Sequence, residues 1–153
     1  MSKKVLIANR GEISLRAIRA CKELGLKTVC IYSEGDKELK SLRFSDESVC
    51  VGPADPTKSY LDAPTILSAA DVTGSDAIYP GYGFLAEDHS FAEQCNLSGF
   101  KFIGPSSETI RQMGDKITAK SIVTKYGIDG VPGFDNELPD NCLLYTSPSP
   151  RDS

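Results

Sequence analysis

With 153 residues, 40% hydrophobic and 25% charged, the chain has the composition of one ordinary globular domain rather than of a disordered or fibrous protein. Its 17 basic against 21 acidic residues leave a net charge of −4, which argues against a sequence-independent nucleic-acid binder, since that needs a basic face. Apolar runs such as Val5–Ala8 and Val29–Tyr32 stop after four residues, far below the roughly 20 that cross a bilayer, and the start carries no signal-peptide core.

In chain order the pattern alternates strand and helix. Lys4–Ala8 is a short apolar run that predicts a buried parallel strand. Asn9-Arg10-Gly11 turns the chain into a helix over Glu12–Leu24, with Ile13, Ala17, Ala20, Cys21 and Leu24 on its apolar face and Gly25 ending it. Strands follow at Thr28–Tyr32 and Ser48–Val51. Asp62–Val72 is a second helix, with Asp62 as its cap, Pro64 in the first turn, and Ala63, Ile66, Leu67 and Ala70 inward. Asp76–Tyr79 is a strand, Pro80–Gly83 a loop, and Ser90–Asn96 a helix in which Ser90 and Glu93 have capping-box spacing. Lys101–Ile103 is a strand, Ser107–Met113 a helix, and Lys116–Tyr126 another that Gly127 closes. Repeated βα units with short turns predict an α/β fold: a Rossmann-like parallel sheet with helices on both faces. From Asn141 onward periodicity ceases. Residues 141–153 resemble translated adapter sequence and are expected to be a non-native tail with no part in the fold.

The five cysteines, Cys21, Cys30, Cys50, Cys95 and Cys142, form no CxxC pair, so buried free thiols in a reducing, cytoplasmic compartment are expected rather than disulfides or zinc. Asn96-Leu97-Ser98 is a chance sequon.

Sheets of this kind bind ligands beyond the carboxyl ends of their strands. The turn Ala8–Glu12 lacks the glycines of a dinucleotide fingerprint, and no G-x-x-x-x-G-K-[ST] loop occurs, so Gly11 is expected to serve a tight turn and Asn9 to bond local backbone. In Tyr79–Glu87, Gly81 and Gly83 flank Tyr82 directly after a strand. Either their N–H groups face a ligand, or this is a close turn with Tyr82 and Phe84 packed inward. Lys116 starts a helix, against the unfavourable end of its dipole, so it either meets an anion such as phosphate or is a solvated lysine beside Asp115. Glu12, Arg16, Arg19 and Glu23 make a charged stripe, read as a solvated face with helix-stabilising ion pairs or as an interface with arginine anchors. His89 has no triad or metal set around it.

Taken together, Val5–Ile13, Lys58–Leu61, Ser68–Ala70, Pro80–Leu85, Phe102–Pro105 and Met113–Lys116 resemble biotin carboxylase, in order and spacing, over about residues 3–135. The chain is most similar to the biotin carboxylase subunit of acetyl-CoA carboxylase; pyruvate and propionyl-CoA carboxylases share this opening domain. The resemblance implies an ATP-grasp ligase in which ATP phosphorylates bicarbonate to carboxyphosphate, which carboxylates biotin on a carrier protein, with Mg2+ (or Mn2+) at the phosphates. It implies that Lys116 contacts ATP, that Gly81, Tyr82 and Gly83 wall the biotin and bicarbonate side, and that Arg16, Arg19 and Glu23 lie in a homodimer interface. Implied partners are the biotin carboxyl carrier protein and a carboxyltransferase, with no nucleic acid and no membrane.

The implied domains are an N-terminal (pre-ATP-grasp) domain over 1–114 and the start of the ATP-grasp region over 115–140. The family's lid, its second ATP lysine, metal-binding glutamates and catalytic base have no counterpart before the resemblance fades between Asp135 and Asp140. No catalytic residue and no metal ligand are therefore expected in this chain, which is expected to be inactive alone. The rival readings are a flavodoxin-like small-ligand module and a structural dimerisation domain.

Overall fold

Four apolar residues in a row, Val5 to Ala8, leave strand β1 (Lys4–Ile7) no face to show to water, and it runs down the middle of a five-stranded sheet. The computed structural model describes residues 3–130. The other strands are β2 (Lys27–Tyr32), β3 (Glu47–Cys50), β4 (Ala77–Tyr79) and β5 (Lys101–Phe102), in the order β3-β2-β1-β4-β5 and all parallel. The helices are α1 (Gly11–Glu23), α2 (Lys40–Phe44), α3 (Ala63–Val72), α4 (His89–Leu97), α5 (Ser107–Gly114) and α6 (Lys116–Lys125). The α/β sheet expected from the sequence is thus present. The described residues divide into two compact units between Arg111 and Gln112.

Side chains alternate across the sheet as strand geometry requires. Leu6, Val29, Ile31 and Ile78 pack on one face with Tyr60, Ile66, Phe91 and Cys95, whereas Ile7 and Cys30 pack on the other with Ala17, Ile18 and Leu42. Helices therefore cover both faces. Polar ties fix the strand ends: the Lys4 ammonium donates to Glu47 Oε1 (2.5 Å) and to the Thr73 carbonyl (2.7 Å), and Asp46 accepts from Thr28 N–H (2.9 Å) and its hydroxyl (3.0 Å).

Several expectations need correction. The buried face of α1 is Ser14, Ala17, Ile18 and Cys21, a face at i, i+3, i+4 and i+7. Ala20 and Leu24 are exposed and Ile13 half-buried, because they lie to the side of the face that Ser14, Ala17 and Ile18 turn to the sheet. Asp62 does precede α3 but caps no N–H; its carboxylate accepts from the Thr65 hydroxyl (2.5 Å). The cap of α4 is Asp88, which accepts from Ser90 and Phe91 N–H at 2.9 and 3.1 Å, so Ser90 and Glu93 form no capping box. No ion pair links Glu12, Arg16, Arg19 and Glu23 among the described residues. Helix α2 and the 3-10 turns at Glu34–Asp36, Pro56–Lys58 and Phe84–Glu87 are additional to the expected elements. The readings for 131–140 and for the tail at 141–153 lie outside the described residues.

Candidate functional site

Strand order reverses at β1: the chain moves outward to β2 and β3, then returns to place β4 on β1's other side. Such a switch point opens a crevice beyond the strands' carboxyl ends, where open α/β sheets bind ligands. Ile7 pairs with Tyr79, so the loops Ala8–Arg10 and Pro80–Gly83 leave the sheet side by side. Between them lies an open crevice of about 410 Å³, lined by Asn9–Ile13 and Tyr82–Phe84.

Asn9 is the hinge of the two loops and is only 1% exposed. Its Nδ2 donates to the Pro80 carbonyl (2.7 Å) and to the Tyr82 carbonyl (2.9 Å), while its Oδ1 accepts from Arg10 N–H (2.8 Å). The local bond expected of Asn9 is present, but two of its three bonds cross more than seventy residues of sequence. Gly81 is required on two counts: its φ is +68°, and a Cβ there would stand 2.6 Å from Ile13 Cγ2. Phe84 also has positive φ, +45°, rare for a side-chain-bearing residue. The inward-packing reading holds for Phe84 but not for Tyr82. Tyr82 is 70% exposed on the rim, while Phe84 stacks on Tyr60 at 5.2 Å between centroids.

Beneath the crevice is a polar hub that sequence reasoning missed. Tyr60 is wholly buried; its hydroxyl donates to Asp36 Oδ2 (2.6 Å) and accepts from Ser33 N–H (3.0 Å). Arg10 Nη1 reaches the same Asp36 oxygen at 2.9 Å, and its guanidinium lies 5.9 Å over the Tyr60 ring. Burial opposes ionisation of Asp36, but hydrogen bonds from Tyr60 and Arg10, the Arg10 charge and the Ser33 hydroxyl outweigh it and hold the carboxyl below its ordinary value. Burial, and then the bond to Asp36, push the Tyr60 phenol up to about 12. Only the Lys58–Leu61 motif hinted at this hub; nothing in the sequence pairs Tyr60 with Asp36.

The remaining candidates lie elsewhere. Lys116 is exposed in the first turn of α6, in the second unit. The dipole conflict anticipated there is met by Asp115, which accepts from Ile117 N–H (3.2 Å), Thr118 N–H (3.3 Å) and the Thr118 hydroxyl, so the conflict itself calls for no external anion. Arg16, Arg19 and Glu23 are exposed on α1, and Arg16 borders an apolar groove of about 490 Å³ floored by Ile13, Ala17, Cys21 and Tyr79. His89 is exposed at the start of α4. Cys21, Cys30 and Cys95 are buried free thiols, as expected, whereas Cys50 is exposed. Burial raises all three buried thiols, Cys30 to about 11 and Cys95 to about 12, which makes them poor nucleophiles. Among the described residues no group of three or more His, Cys, Asp or Glu could hold a metal ion, and no helix is long and apolar enough to cross a membrane.

Comparison with known proteins gives a consistent result. Residues 1–110 match the family model for the biotin carboxylase N-terminal domain. Biotin carboxylase of Pseudomonas aeruginosa is 59% identical over 141 residues, 92% of this chain and 31% of the relative. A pyruvate carboxylase subunit from Methanothermobacter thermautotrophicus is 47% identical over 140 residues, 92% of this chain and 28% of the relative. Among solved structures, the biotin carboxylase–β,γ-ATP complex from Campylobacter jejuni superposes with a TM-score of 0.86 at 47% identity, covering 91% of this chain and 31% of that one. The chain thus spans about a third of the length of these two curated relatives.

Proposed function

The chain belongs to the biotin carboxylase N-terminal domain family, and on that premise we propose that it serves the ATP- and bicarbonate-dependent carboxylation of biotin on a carrier protein. In this ligase reaction the bicarbonate oxygen takes the γ-phosphoryl group of ATP and ADP leaves; the resulting carboxyphosphate then gives its carboxyl group to a ureido nitrogen of biotin, with release of inorganic phosphate and loss of the ureido proton. The observation that carries the reading is the switch-point crevice: the motif Pro80–Leu85 that marks the family supplies its Tyr82–Phe84 wall.

Within this reading Gly81, Tyr82 and Gly83 face the biotin and bicarbonate side. An exposed Tyr82 phenol ring and the uncrowded backbone of Gly83 suit a flat, polar-edged ring such as the ureido ring of biotin. Lys116 places a cation for an ATP phosphate, which stabilises negative charge on the transferring group. Arg16, Arg19 and Glu23 take part in a homodimer contact. Magnesium (or manganese) enters with the nucleotide; the described residues offer it no ligand cluster, so no step of the reaction is assigned to a metal through them.

The domains that go with this reading are an N-terminal domain over 1–114 and the start of an ATP-grasp region over 115–140. The finer assignment is the biotin carboxylase subunit of a cytoplasmic acetyl-CoA carboxylase, working with a biotin carboxyl carrier protein and a carboxyltransferase toward malonyl-CoA and fatty acids. Identity of 59% to a biotin carboxylase against 47% to a pyruvate carboxylase subunit favours it. The test is a chimera in which this chain replaces the matching segment of the Pseudomonas aeruginosa relative. Biotin-dependent release of ADP from ATP and bicarbonate is the expected result, and a folded chimera without it rejects the reading.

A further inference from the structure

We propose that Asn9 is a positioning residue for the biotin side of the crevice, setting the Tyr82–Gly83 peptide through its two N–H donors. The proposal rests on the reading of the crevice given above and adds a residue to it. Asn9 uses both amide hydrogens and its oxygen, each on a backbone partner at 2.7–2.9 Å, while 1% exposed. Two donors and one acceptor at the end of a short stem are what a primary amide offers; a carboxylate of the same shape has no hydrogen to give.

The consequence follows from peptide geometry. The described chain has no cis peptide bond, so a carbonyl and the N–H of the next residue point opposite ways. Asn9 draws the Tyr82 carbonyl inward, which turns the Gly83 N–H outward; by the same rule, holding the Pro80 carbonyl turns out the Gly81 N–H. Neither N–H donates to a protein acceptor among the described residues, and Gly83 is exposed. One buried side chain thereby fixes the orientation of two outward donors, one on each side of Tyr82. Such preorganisation serves recognition more than folding, because the loop is also held by Phe84 on Tyr60 and by the close fit of Gly81 against Ile13.

The test uses the chimera described above with Asn9→Ala and Asn9→Asp. Asp keeps the shape and the acceptor for Arg10 N–H but, when ionised, gives no donor. Both variants are expected to raise the KM for free biotin about tenfold while the KM for ATP moves less than about twofold. Packing alone would be restored by Asp, so an Asp variant with unaltered biotin KM overturns the proposal, as does a parallel rise in both constants. Backbone amide spectra of the 153-residue chain provide a second measurement. The amides of Gly81–Phe84 are expected to shift in both variants while those of Leu6, Val29 and Ile78 stay in place; unmoved Gly81–Phe84 amides likewise overturn it. A chimera with no biotin-dependent turnover would refute the reading of the crevice instead, and the amide comparison then decides the part of Asn9.

Discussion

The Tyr60 hydroxyl donates to Asp36 Oδ2 at 2.6 Å, and that contact joins the two sides of the crevice floor. Through Asp36 it reaches Arg10 in the β1 loop; through its ring it supports Phe84 in the β4 loop. Tyr60 lies on neither loop, yet it is the largest fully buried side chain of the molecule's described residues. A buried phenol and a half-buried carboxylate so arranged are costly to disturb singly: without Asp36 the Tyr60 O–H has no acceptor, and without the Tyr60 hydroxyl the Ser33 N–H has none.

Tyr60→Phe is therefore expected to destabilise the chain by about 1–3 kcal/mol at neutral pH, read from urea unfolding. The pH dependence has a definite sign. Tyr60 has a raised folded value, so its contribution is fully present below 10.0 and is lost as pH rises from there through about 12; the gap between the parent chain and Tyr60→Phe narrows in that window. Asp36 has a lowered folded value, so its contribution is present above 3.8 and is lost as pH falls through the folded value. Asp36→Asn should accordingly lower stability at pH 7 and converge on the parent chain below 3.8. Gaps that stay constant across both ranges would show that the hub does not titrate as argued.

The strands and most helices were legible because buried parallel strands read as unbroken apolar runs and helices carry a 3.6-residue period. What escaped had a physical reason in each case. Lys40–Phe44 is five residues long, too short for Leu42 and Phe44 to show a period. On α1 two overlapping apolar stripes compete, and only contact with the sheet selects the one through Ser14 and Ala17. Asn9 stands out by its place after β1, but its bonds to Pro80 and Tyr82 depend on which strand lies beside β1. That is a property of topology, and a chain read in order does not display it.

Arg19→Glu in the chimera is expected to weaken the homodimer proposed above. Arg16, Arg19 and Glu23 are exposed and make no ion pair among the described residues, so their charges are free to meet a partner. A twofold interface repeats each substitution, and two lost surface pairs of about 0.5–1 kcal/mol raise the dissociation constant on the order of tenfold. Sedimentation velocity at graded concentrations makes the measurement. An unaltered dissociation constant would assign these charges to solvent.

Lys116→Gln is expected to raise the KM for ATP roughly tenfold to a hundredfold in the chimera while leaving that for bicarbonate nearly in place. One charge-assisted contact is worth about 1.5–3 kcal/mol. Asp115 already caps the N–H groups of Ile117 and Thr118, so a loss on substitution reports the side-chain charge and not relief of the helix end. Equal shifts for both substrates would remove Lys116 from the nucleotide and leave it a solvated lysine.

Gly81 and Gly83 separate backbone strain from crowding. Both have positive φ, +68° and +70°, and Gly83 pairs it with ψ −169°, a region essentially reserved for glycine, so alanine at either incurs backbone strain on the order of 1–3 kcal/mol. At Gly83 a Cβ meets nothing within 4 Å, whereas at Gly81 it meets Ile13 Cγ2 at 2.6 Å and Asn9 Nδ2 at 3.0 Å. Both neighbours sit in well-held places, Asn9 by its three bonds and Ile13 on the first turn of α1, so neither yields cheaply. Gly81→Ala should therefore carry, beyond its backbone strain, about 1–3 kcal/mol of crowding that Gly83→Ala lacks, the range of overpacking in a filled site. Introducing Ile13→Ala alongside Gly81→Ala should recover part of that excess, giving a non-additive cycle, while the same cycle with Gly83→Ala should be additive. An additive cycle at Gly81 would mean that the loop yields freely, and that the Asn9 bonds do not hold it against α1.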